Sequence, residues 1–304
     1  MMMTMPYHKA ALPGESLAWL NLKPGGTYVD ATLGGGGHSR LILETLQGGR
    51  LYGLDQDPAA APNAPADERF TLLQGNFRHL RRLLRLHGVA QVDGLLADFG
   101  VSSHQFDAAE RGFSLRHEGP LDMRMNPDKP LTAAQLLNDY PEAELRRIFK
   151  QYGEISQAGR LARMIVKARP LETTAQLKET ARSLAAPQRE NRFLAQVFQA
   201  IRIVVNEELS AIEEFLQQLP PLLKPGGRAV CLSYHSLEDR LVKNFFRYGN
   251  TEGRPQKDFY GHLQRPLAPL TRKPIFAQDQ EIEANPRARS ARLRAAQKAR
   301  EDDQ

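Results

Sequence analysis

Residues 27–39, TYVDATLGGGGHS, contain the clearest structural signal in this sequence. It predicts a short apolar strand, a loop of four glycines (Gly34–Gly37) and a helix over residues 38–46. Glycine accepts positive φ angles and lets the backbone approach a ligand closely, and the helix that follows points its first N–H groups towards that ligand. We interpret the loop as a site for a nucleotide-type cofactor. A flexible surface turn is the simpler alternative, because runs of glycine are common in linkers.

Two acidic residues favour the cofactor site over the surface turn. Asp30 ends the first strand, and Asp55 ends a second strand at about the 20-residue spacing of an acid that binds a ribose hydroxyl. The dinucleotide fingerprint matches poorly, because its third glycine position falls on Ser39 or Arg40. An acid before the loop suits a cationic amino-acid group, which S-adenosylmethionine carries. The pattern resembles that of class I methyltransferases.

Composition narrows the class of protein. The chain has 304 residues, of which 41% are hydrophobic and 25% charged, as in a water-soluble globular protein. Its net charge of +6 is compatible with an anionic partner. Its one cysteine excludes an internal disulfide and suits a reducing compartment. No apolar run approaches the roughly 18 residues that cross a membrane, and Met1 to Pro13 lacks the pattern of a signal peptide. We expect a cytoplasmic protein without membrane contact, as a monomer or a homodimer.

Strands and helices alternate up to residue 98. Further strands are predicted at residues 70–74 and 92–98, and a helix at residues 77–87. This alternation produces a parallel sheet whose ligands bind at the carboxyl ends of the strands. Asp30, Asp55 and Asp98 all occupy such ends, so we expect them near the cofactor.

The strand pattern then stops for about 100 residues, which is too long for a loop of a compact domain. Five helices are predicted there: residues 132–137, 141–152, 158–168, 173–184 and 192–203, with Thr132 and Thr174 as N-caps. The predicted domains are therefore a first part of the α/β domain at 1–106, a helical insert at 107–206 that recognises the substrate, and a second part at 207–304 with a basic tail.

The second part is predicted to resume the α/β pattern. Its predicted elements are a helix at 207–219, a turn at 223–227, a buried strand at 228–234, a helix at 236–246, a polar mobile segment at 251–264 and two closing strands within 271–299. The tail from Pro286 to Arg294, which continues to Lys298 and Arg300, is rich in arginine and lacks acids. Such a run is typical of a phosphate-contacting strip, with a solvated surface segment as the alternative.

Residues 98–105 are predicted to lie beside the cofactor cleft. The amine of a methyl acceptor would sit there, and an acceptor such as Asp98 can hold its N–H and turn the nitrogen lone pair towards the methyl group. Alternatively, Asp98 only caps the next turn. Ser236 with Asp239 resembles a capping box, and His235 is either a substrate contact or a structural residue.

The position of Cys231 argues against methylation of a carbon atom. Methylation at cytosine C5 uses a cysteine nucleophile, but Cys231 lies between Val230 and Leu232 in a predicted buried strand. Transfer to nitrogen or oxygen fits better. A cysteine-based metal site is excluded as well, and no H-x-x-x-H pair indicates zinc.

Taken together, these residues resemble the bacterial 16S ribosomal RNA cytosine-N4 methyltransferases over nearly the whole chain. The matching segments are residues 28–34 with 36–39, 100–103 with 105, 107–114, 119–125, 198–203 with 205–206, 235–240 and 285–290. The resemblance implies a class I (Rossmann-like) methyltransferase fold with a helical insert and S-adenosylmethionine as the cofactor. It also implies a decoding-centre (P-site) cytidine of 16S rRNA in the 30S subunit as the substrate.

The resemblance also implies roles for single residues. By position, the family's cofactor contacts fall on Gly36, Gly37, His38, Asp55, Phe77, Asp98 and Gln105, with Phe77 packing on adenine. The candidate catalytic residues are Asp98, Ser102 and His235.

The sequence departs from the family pattern at three segments, all outside the cofactor loop and therefore on the substrate side. These are His8–Pro13, Glu154–Gln157 and Arg192–Gln196. Two other classes remain as alternatives: a nucleotide-dependent oxidoreductase, against which the missing third glycine counts, and a non-catalytic RNA-binding protein.

Overall fold

The computed structural model describes residues 9–299. His8, most of the N-terminal segment analysed for a signal peptide, and Arg300 of the basic tail lie outside these residues. The chain forms two compact units: one joins the chain up to Gly100 with the chain from Leu209 onward, and the other spans Val101–Glu208. In the described part of the chain, no helix combines the length and the apolar character needed to cross a membrane.

The helices and strands follow one another in an α/β order, interrupted by the helices of the second unit. In chain order they are α1 Pro13–Leu20, β1 Thr27–Asp30, α2 Gly37–Thr45, β2 Arg50–Asp55, β3 Phe70–Gln74, α3 Leu80–Leu86, β4 Val92–Asp98, α4 Ser103–Asp107, α5 Ala133–Asp139, α6 Glu142–Tyr152, α7 Ala158–Ala168, α8 Thr174–Arg182, α9 Glu190–Asn206, α10 Glu208–Leu222, β5 Leu223–Ser233, α11 Ser236–Tyr248, β6 Leu267–Pro269, α12 Asp279–Ala284 and β7 Arg292–Lys298.

The first unit is built on a seven-stranded sheet with the order β3-β2-β1-β4-β5-β7-β6. Strands β1 to β5 are parallel, whereas β7 runs antiparallel to both β5 and β6. Because the chain reverses its winding direction between β1 and β4, the connections after these two strands leave from the same edge, where ligands bind in such sheets. The predicted α/β fold with a Rossmann-like parallel sheet is confirmed.

The sheet is covered on both faces, as its sequence requires. In β4, Leu95 and Ala97 pack into one apolar cluster and Leu96 packs into another. The alternation follows from the two-residue period of a strand. All three side chains are fully buried. A strand that is apolar on both faces is typical of a parallel sheet covered by helices.

The second unit is helical and has a core of its own. Helix α7 buries Ala158, Leu161, Ala162 and Ile165, which is the i, i+3, i+4, i+7 spacing of one helix face. Asn206 at the end of α9 accepts from Met125 N (2.7 Å) and donates to the carbonyl of Met123 (2.7 Å). This pairing joins two of the segments that carry the family resemblance.

Several boundaries differ from the sequence predictions. The predicted turn at residues 223–227 lies inside β5, where Val92 pairs with Leu223 and Gly94 pairs with Arg228. The residues between Leu223 and Arg228 therefore form a long bulge, which a local turn signal does not distinguish from a strand end. The predicted helix at 77–87 begins with a 3-10 turn before α3.

Other boundaries are displaced by one element or one residue. Thr132 caps α5 as predicted, but the cap of α8 is Thr173 rather than Thr174, because Thr173 is extended and accepts from Gln176 N. Within residues 271–299 there is one strand, β7; its partner β6 precedes that range. The segment predicted to be mobile at 251–264 forms a hydrogen-bonded hairpin.

Candidate active site

The glycine loop is held from both sides by side chains. Asn63 Nδ2 donates to the carbonyl of Gly34 (2.8 Å), and Arg40 donates to the carbonyl of Gly35 (2.8 Å) and to that of Asn63 (2.9 Å). Gly36 has φ 74°, and a Cβ there would lie 2.5 Å from the Asn63 carbonyl oxygen, so only glycine fits. Gly36 is also the N-cap of α2 and offers no side-chain acceptor to the first N–H groups of that helix. The N-terminus of α2 can therefore take an acceptor from a ligand.

Asp55 contacts the glycine loop on its other side. Its carboxylate accepts from Gly34 N (2.8 Å) and from Asp57 N (2.9 Å), which fixes the acid against the glycines at the end of β2. Burial raises the pKa of Asp55 to about 6, against these two hydrogen bonds. Each oxygen retains acceptor capacity, so Asp55 can also receive hydroxyl groups of a ribose.

Asp98, at the end of β4, is held by side chains and backbone from neighbouring segments. Tyr234 Oη donates to Asp98 Oδ1 (2.8 Å), and His38 Nδ1 lies 3.8 Å from Oδ2. The backbone is fixed as well, because Asp98 N donates to Thr32 Oγ1 (2.7 Å). The Asp98 side chain keeps 22% exposure. Desolvation raises its pKa to about 6, which places its ionisation near neutrality.

Asp30 and His38 are buried and both act electrostatically on this carboxylate. Asp30 is fully buried and accepts from Ser39 Oγ (2.7 Å) and Thr32 N (3.2 Å), and burial raises its pKa. His38 Nε2 lies 3.0 Å from the Ala11 carbonyl oxygen, which only accepts, so this nitrogen carries the proton. Since the side chain of His38 faces the protein interior, its backbone is the part next to the glycine loop.

Phe77 follows β3 at the same edge of the sheet. Its half-buried ring packs against Phe99 (centroids 5.6 Å) and Phe215 (5.5 Å). This packing fixes the ring beside the strand ends that carry Asp55 and Asp98. Its predicted contact with adenine stays a prediction.

Ser102 and Gln105 belong to the second unit. Ser102 Oγ accepts from Gln105 N (3.3 Å), and Gln105 Oε1 accepts from Ser102 N (3.1 Å), which is the capping box of α4. Both side chains therefore have a structural role in starting this helix. The catalytic role of Ser102 and the cofactor contact of Gln105 stay predictions.

His235 caps α11, and the predicted capping box of Ser236 with Asp239 is wrong by one residue. His235 Nδ1 accepts from Glu238 N (3.4 Å), and Glu238 Oε2 accepts from the backbone N–H groups of Tyr234 (2.8 Å) and His235 (3.3 Å). Asp239 is occupied elsewhere, by an ion pair with Arg294. His235 thus has a structural role, and a catalytic role for it stays a prediction.

The basic tail is not one continuous surface strip. Arg287 and Arg289 are exposed, but Arg294 is only 6% exposed and donates to both oxygens of Asp239 (2.7 and 3.0 Å). The prediction that Arg294 contacts phosphate is therefore wrong. Arg294 lies on β7 beneath α11, and a buried guanidinium group there requires a carboxylate partner.

Sequence reasoning missed Tyr234. Among the described residues, the Asp98 carboxylate has one hydrogen bond to another side chain, and the Tyr234 hydroxyl donates it. A signal exists, because Tyr234 follows β5 directly and a buried tyrosine places its hydroxyl against a partner. The partner is Asp98, 136 residues away, and only the order of the strands in the sheet brings the two residues together.

The donor set fits S-adenosylmethionine. Asp55 offers acceptors for ribose hydroxyls, the N-terminus of α2 offers N–H groups, and the carboxylates of Asp30, Asp55 and Asp98 give this edge a negative potential that suits a sulfonium and an ammonium group. When bound, this cofactor supplies an electrophilic methyl group.

The chain is similar to known proteins over nearly its whole length. The model of the MraW methylase family matches residues 5–299. Proteins named "Ribosomal RNA small subunit methyltransferase H" are 51% identical in Flavobacterium johnsoniae, over 97% of this chain and 99% of that protein, and 50% identical in Bacteroides thetaiotaomicron, over 97% and 98%. Among solved structures, a rRNA methylase from Streptococcus thermophilus is 11% identical with a TM-score of 0.43, covering 99% of this chain and 100% of that one. The family match spans the glycine loop, the acids at the strand ends and the helical unit, and this chain belongs to the MraW methylase family.

Proposed function

We propose that this protein methylates the N4 amine of a P-site cytidine in 16S rRNA, with Asp98 as the acceptor that orients the amine. The chain is an S-adenosylmethionine-dependent methyltransferase whose close relatives are named for the RNA of the small ribosomal subunit. The position of the methyl group on the nucleotide is the part that we propose.

The observation that carries the proposal is the state of Asp98. The N4 amine of cytosine is a poor nucleophile, because its lone pair is delocalised into the ring. A carboxylate that accepts one N4–H rotates the amine and directs the lone pair towards the electrophile. Asp98 is 22% exposed at the sheet edge that carries the glycine loop, and Tyr234 holds one of its oxygens.

Proton transfer is consistent with the same residue. Once N4 had accepted the methyl group that S-adenosylmethionine would supply, the nitrogen would be cationic and would lose a proton. A carboxylate with its pKa near 6 is ionised at neutral pH and can receive that proton. Asp98 then returns the proton to water through its exposed side.

Cys231 supports nitrogen over carbon as the acceptor atom. Its side chain is fully buried in β5, and burial raises the pKa of the thiol far above neutrality. A cytosine C5 reaction needs an accessible thiolate as the nucleophile. The chain has no other cysteine.

The test is transfer of a labelled methyl group to 30S subunits from a strain that lacks the enzyme, followed by nucleoside mapping. We expect label in N4-methylcytidine at one position of 16S rRNA. Label in 5-methylcytidine, or in another base, would refute the proposal. The variant Asp98→Asn keeps the size of the side chain and loses the charged acceptor, so single-turnover methyl transfer should slow far more than cofactor affinity falls.

A rate that saturating S-adenosylmethionine restores in Asp98→Asn would assign Asp98 to cofactor binding alone. A lower melting temperature with an unchanged rate per folded molecule would leave Asp98 as a turn residue. Asp67→Asn is the matched control, because Asp67 pairs with Arg69 at the protein surface and lies outside the site.

A further inference from the structure

A hairpin between α11 and β6, residues 249–266, presents two aromatic rings to solvent. We name it the aromatic arm. The side chains of Phe259 and Tyr260 at its tip are 98% and 82% exposed, and their ring centroids lie 5.7 Å apart at an interplanar angle of 89°. Large aromatic side chains are normally buried, so a pair this exposed indicates a surface that binds a partner.

The tip is an ordered turn. Asp258 Oδ1 accepts from Tyr260 N (2.9 Å) and from His262 N (2.8 Å), and Asp258 N donates to the carbonyl of His262 (2.9 Å). Gly261 provides the positive φ of 86° that this turn needs. The two rings therefore project outward because the backbone directs them there.

The base of the arm is joined to α11. Asn244 Nδ2 donates to the carbonyl of Thr251 (2.9 Å), and Asn250 bonds to both the N–H and the carbonyl of Arg254. At Gly249 the returning chain comes so close that a Cβ would lie 2.9 Å from the Gln264 carbonyl oxygen. These contacts hold both ends of the hairpin in place, so the tip is anchored to the unit that contains the sheet.

Basic residues are exposed along the arm and on the helix at its base. Arg254, Lys257 and Arg265 are exposed along the arm, and Lys243 and Arg247 are exposed on α11. The only acids between residues 243 and 265 are Glu252 and Asp258, and Asp258 is committed to the turn. Aromatic rings that stack on bases, flanked by cations that meet phosphates, are the combination used to bind single-stranded nucleic acid.

A protein partner fits this surface less well. An apolar groove or helix on a partner would require a wider apolar area than two adjacent rings. The residues that flank the two rings in the chain, Lys257, Asp258, Gly261 and His262, add no further apolar side chain.

We propose that the aromatic arm binds the RNA substrate by stacking Phe259 and Tyr260 on unpaired bases while the basic residues of the arm meet the adjacent phosphates. This inference rests on the proposed function, because it assumes that the substrate is RNA. It assigns to the arm the affinity for RNA and no part in the methyl transfer itself.

The test compares three double variants of the full chain. Phe259→Ala with Tyr260→Ala removes both rings, the corresponding leucine pair keeps apolar side chains without π faces, and the tryptophan pair keeps stacking. Phe276→Ala is the control, because Phe276 is 52% exposed outside the arm. Dissociation constants are measured with unmethylated 30S subunits and with a labelled single-stranded cytidine oligonucleotide free of protein.

We expect the alanine and leucine pairs to weaken binding of both probes by about 5- to 150-fold for each stacked base. The tryptophan pair and Phe276→Ala should stay close to the parent. KM for the subunit should rise in the alanine pair, with kcat at saturating subunit, cofactor affinity and melting temperature unchanged. Full activity at high subunit concentration would confirm that the arm acts in binding.

Three results would overturn the inference. Equal affinity of the alanine pair and the parent for both probes would show that the arm does not touch the substrate. Full affinity in the leucine pair would indicate an apolar contact instead of stacking, and a loss confined to subunits would indicate a ribosomal protein. In each case the parent still labels N4-methylcytidine; absence of that label from the parent would instead refute the proposed function.

Discussion

The hydrogen bond between Tyr234 and Asp98 sets a measurable property of the candidate site. Tyr234→Phe removes one oxygen and leaves the ring in place. The lost bond joins Tyr234 Oη to Asp98 Oδ1 at 2.8 Å and stabilises the ionised carboxylate, so its loss favours the protonated form and raises the pKa of Asp98. Glu238, Asp30 and His38 are the other charged or titratable groups that act on Asp98, and the substitution leaves them in place.

The size of the effect follows from the type of bond. A hydrogen bond to a charged group contributes about 1.5–3 kcal/mol, and a change of about 1.4 kcal/mol moves a pKa by one. Because the parent pKa of Asp98 is about 6, its ionisation in the variant should occur about one to two pH units higher. The mechanism that we propose requires ionised Asp98, so the rate should fall as the pH falls through this pKa.

The assay is single-turnover methyl transfer at saturating cofactor and RNA between about pH 5 and pH 9. We expect the acid limb near pH 6 in the parent and between about pH 7 and pH 8 in Tyr234→Phe, with similar plateau rates at high pH. Tyr52→Phe removes the hydroxyl of a tyrosine whose ring packs against His87 and serves as the control. An acid limb that does not move in a folded Tyr234→Phe variant would refute ionised Asp98 as the acceptor.

Three further predictions concern the cofactor, the basic tail and the cap of α11. Asp55→Ala should weaken S-adenosylmethionine binding by about 1.5–3 kcal/mol, and the affinity of the parent should rise as the pH increases through about 6, the pKa of Asp55; titration calorimetry at several pH values measures both. Replacing Arg287 and Arg289 by alanine should lower RNA affinity and flatten its salt dependence with an unchanged melting temperature. Arg294→Ala should destabilise the fold by about 1–3 kcal/mol, because it leaves the partly buried Asp239 carboxylate unpaired. His235→Ser should keep the methyl-transfer rate, because serine is a good N-cap. It should lower the melting temperature, because the fully buried Glu238 loses the His235 Nε2 that lies 3.2 Å from its Oε1.

Each of these predictions can fail in a defined way. A dissociation constant that Asp55→Ala leaves unchanged would remove Asp55 from the cofactor site. A salt slope equal to that of the parent would show that the two surface arginines meet no phosphate. A large rate loss in a stable His235→Ser variant would show that His235 contacts the substrate, against our expectation.

Features of this protein that depend on near neighbours in the chain are readable from its residues. Strand–helix alternation, the glycine loop and the acids of β1, β2 and β4 are encoded by periodicity and by residues a few positions apart. Once the strands are parallel, their carboxyl ends must meet at one edge, so the convergence of Asp30, Asp55 and Asp98 required no knowledge of the coordinates.

Contacts between residues far apart in the chain depend on the tertiary structure. Tyr234 reaches Asp98 across 136 residues because β5 lies next to β4, and Arg294 meets Asp239 because β7 reverses direction beside β5. The bulge before Arg228 is likewise a property of the pairing between two strands. Contacts of this kind are set by strand order and register, which no local pattern of residues specifies.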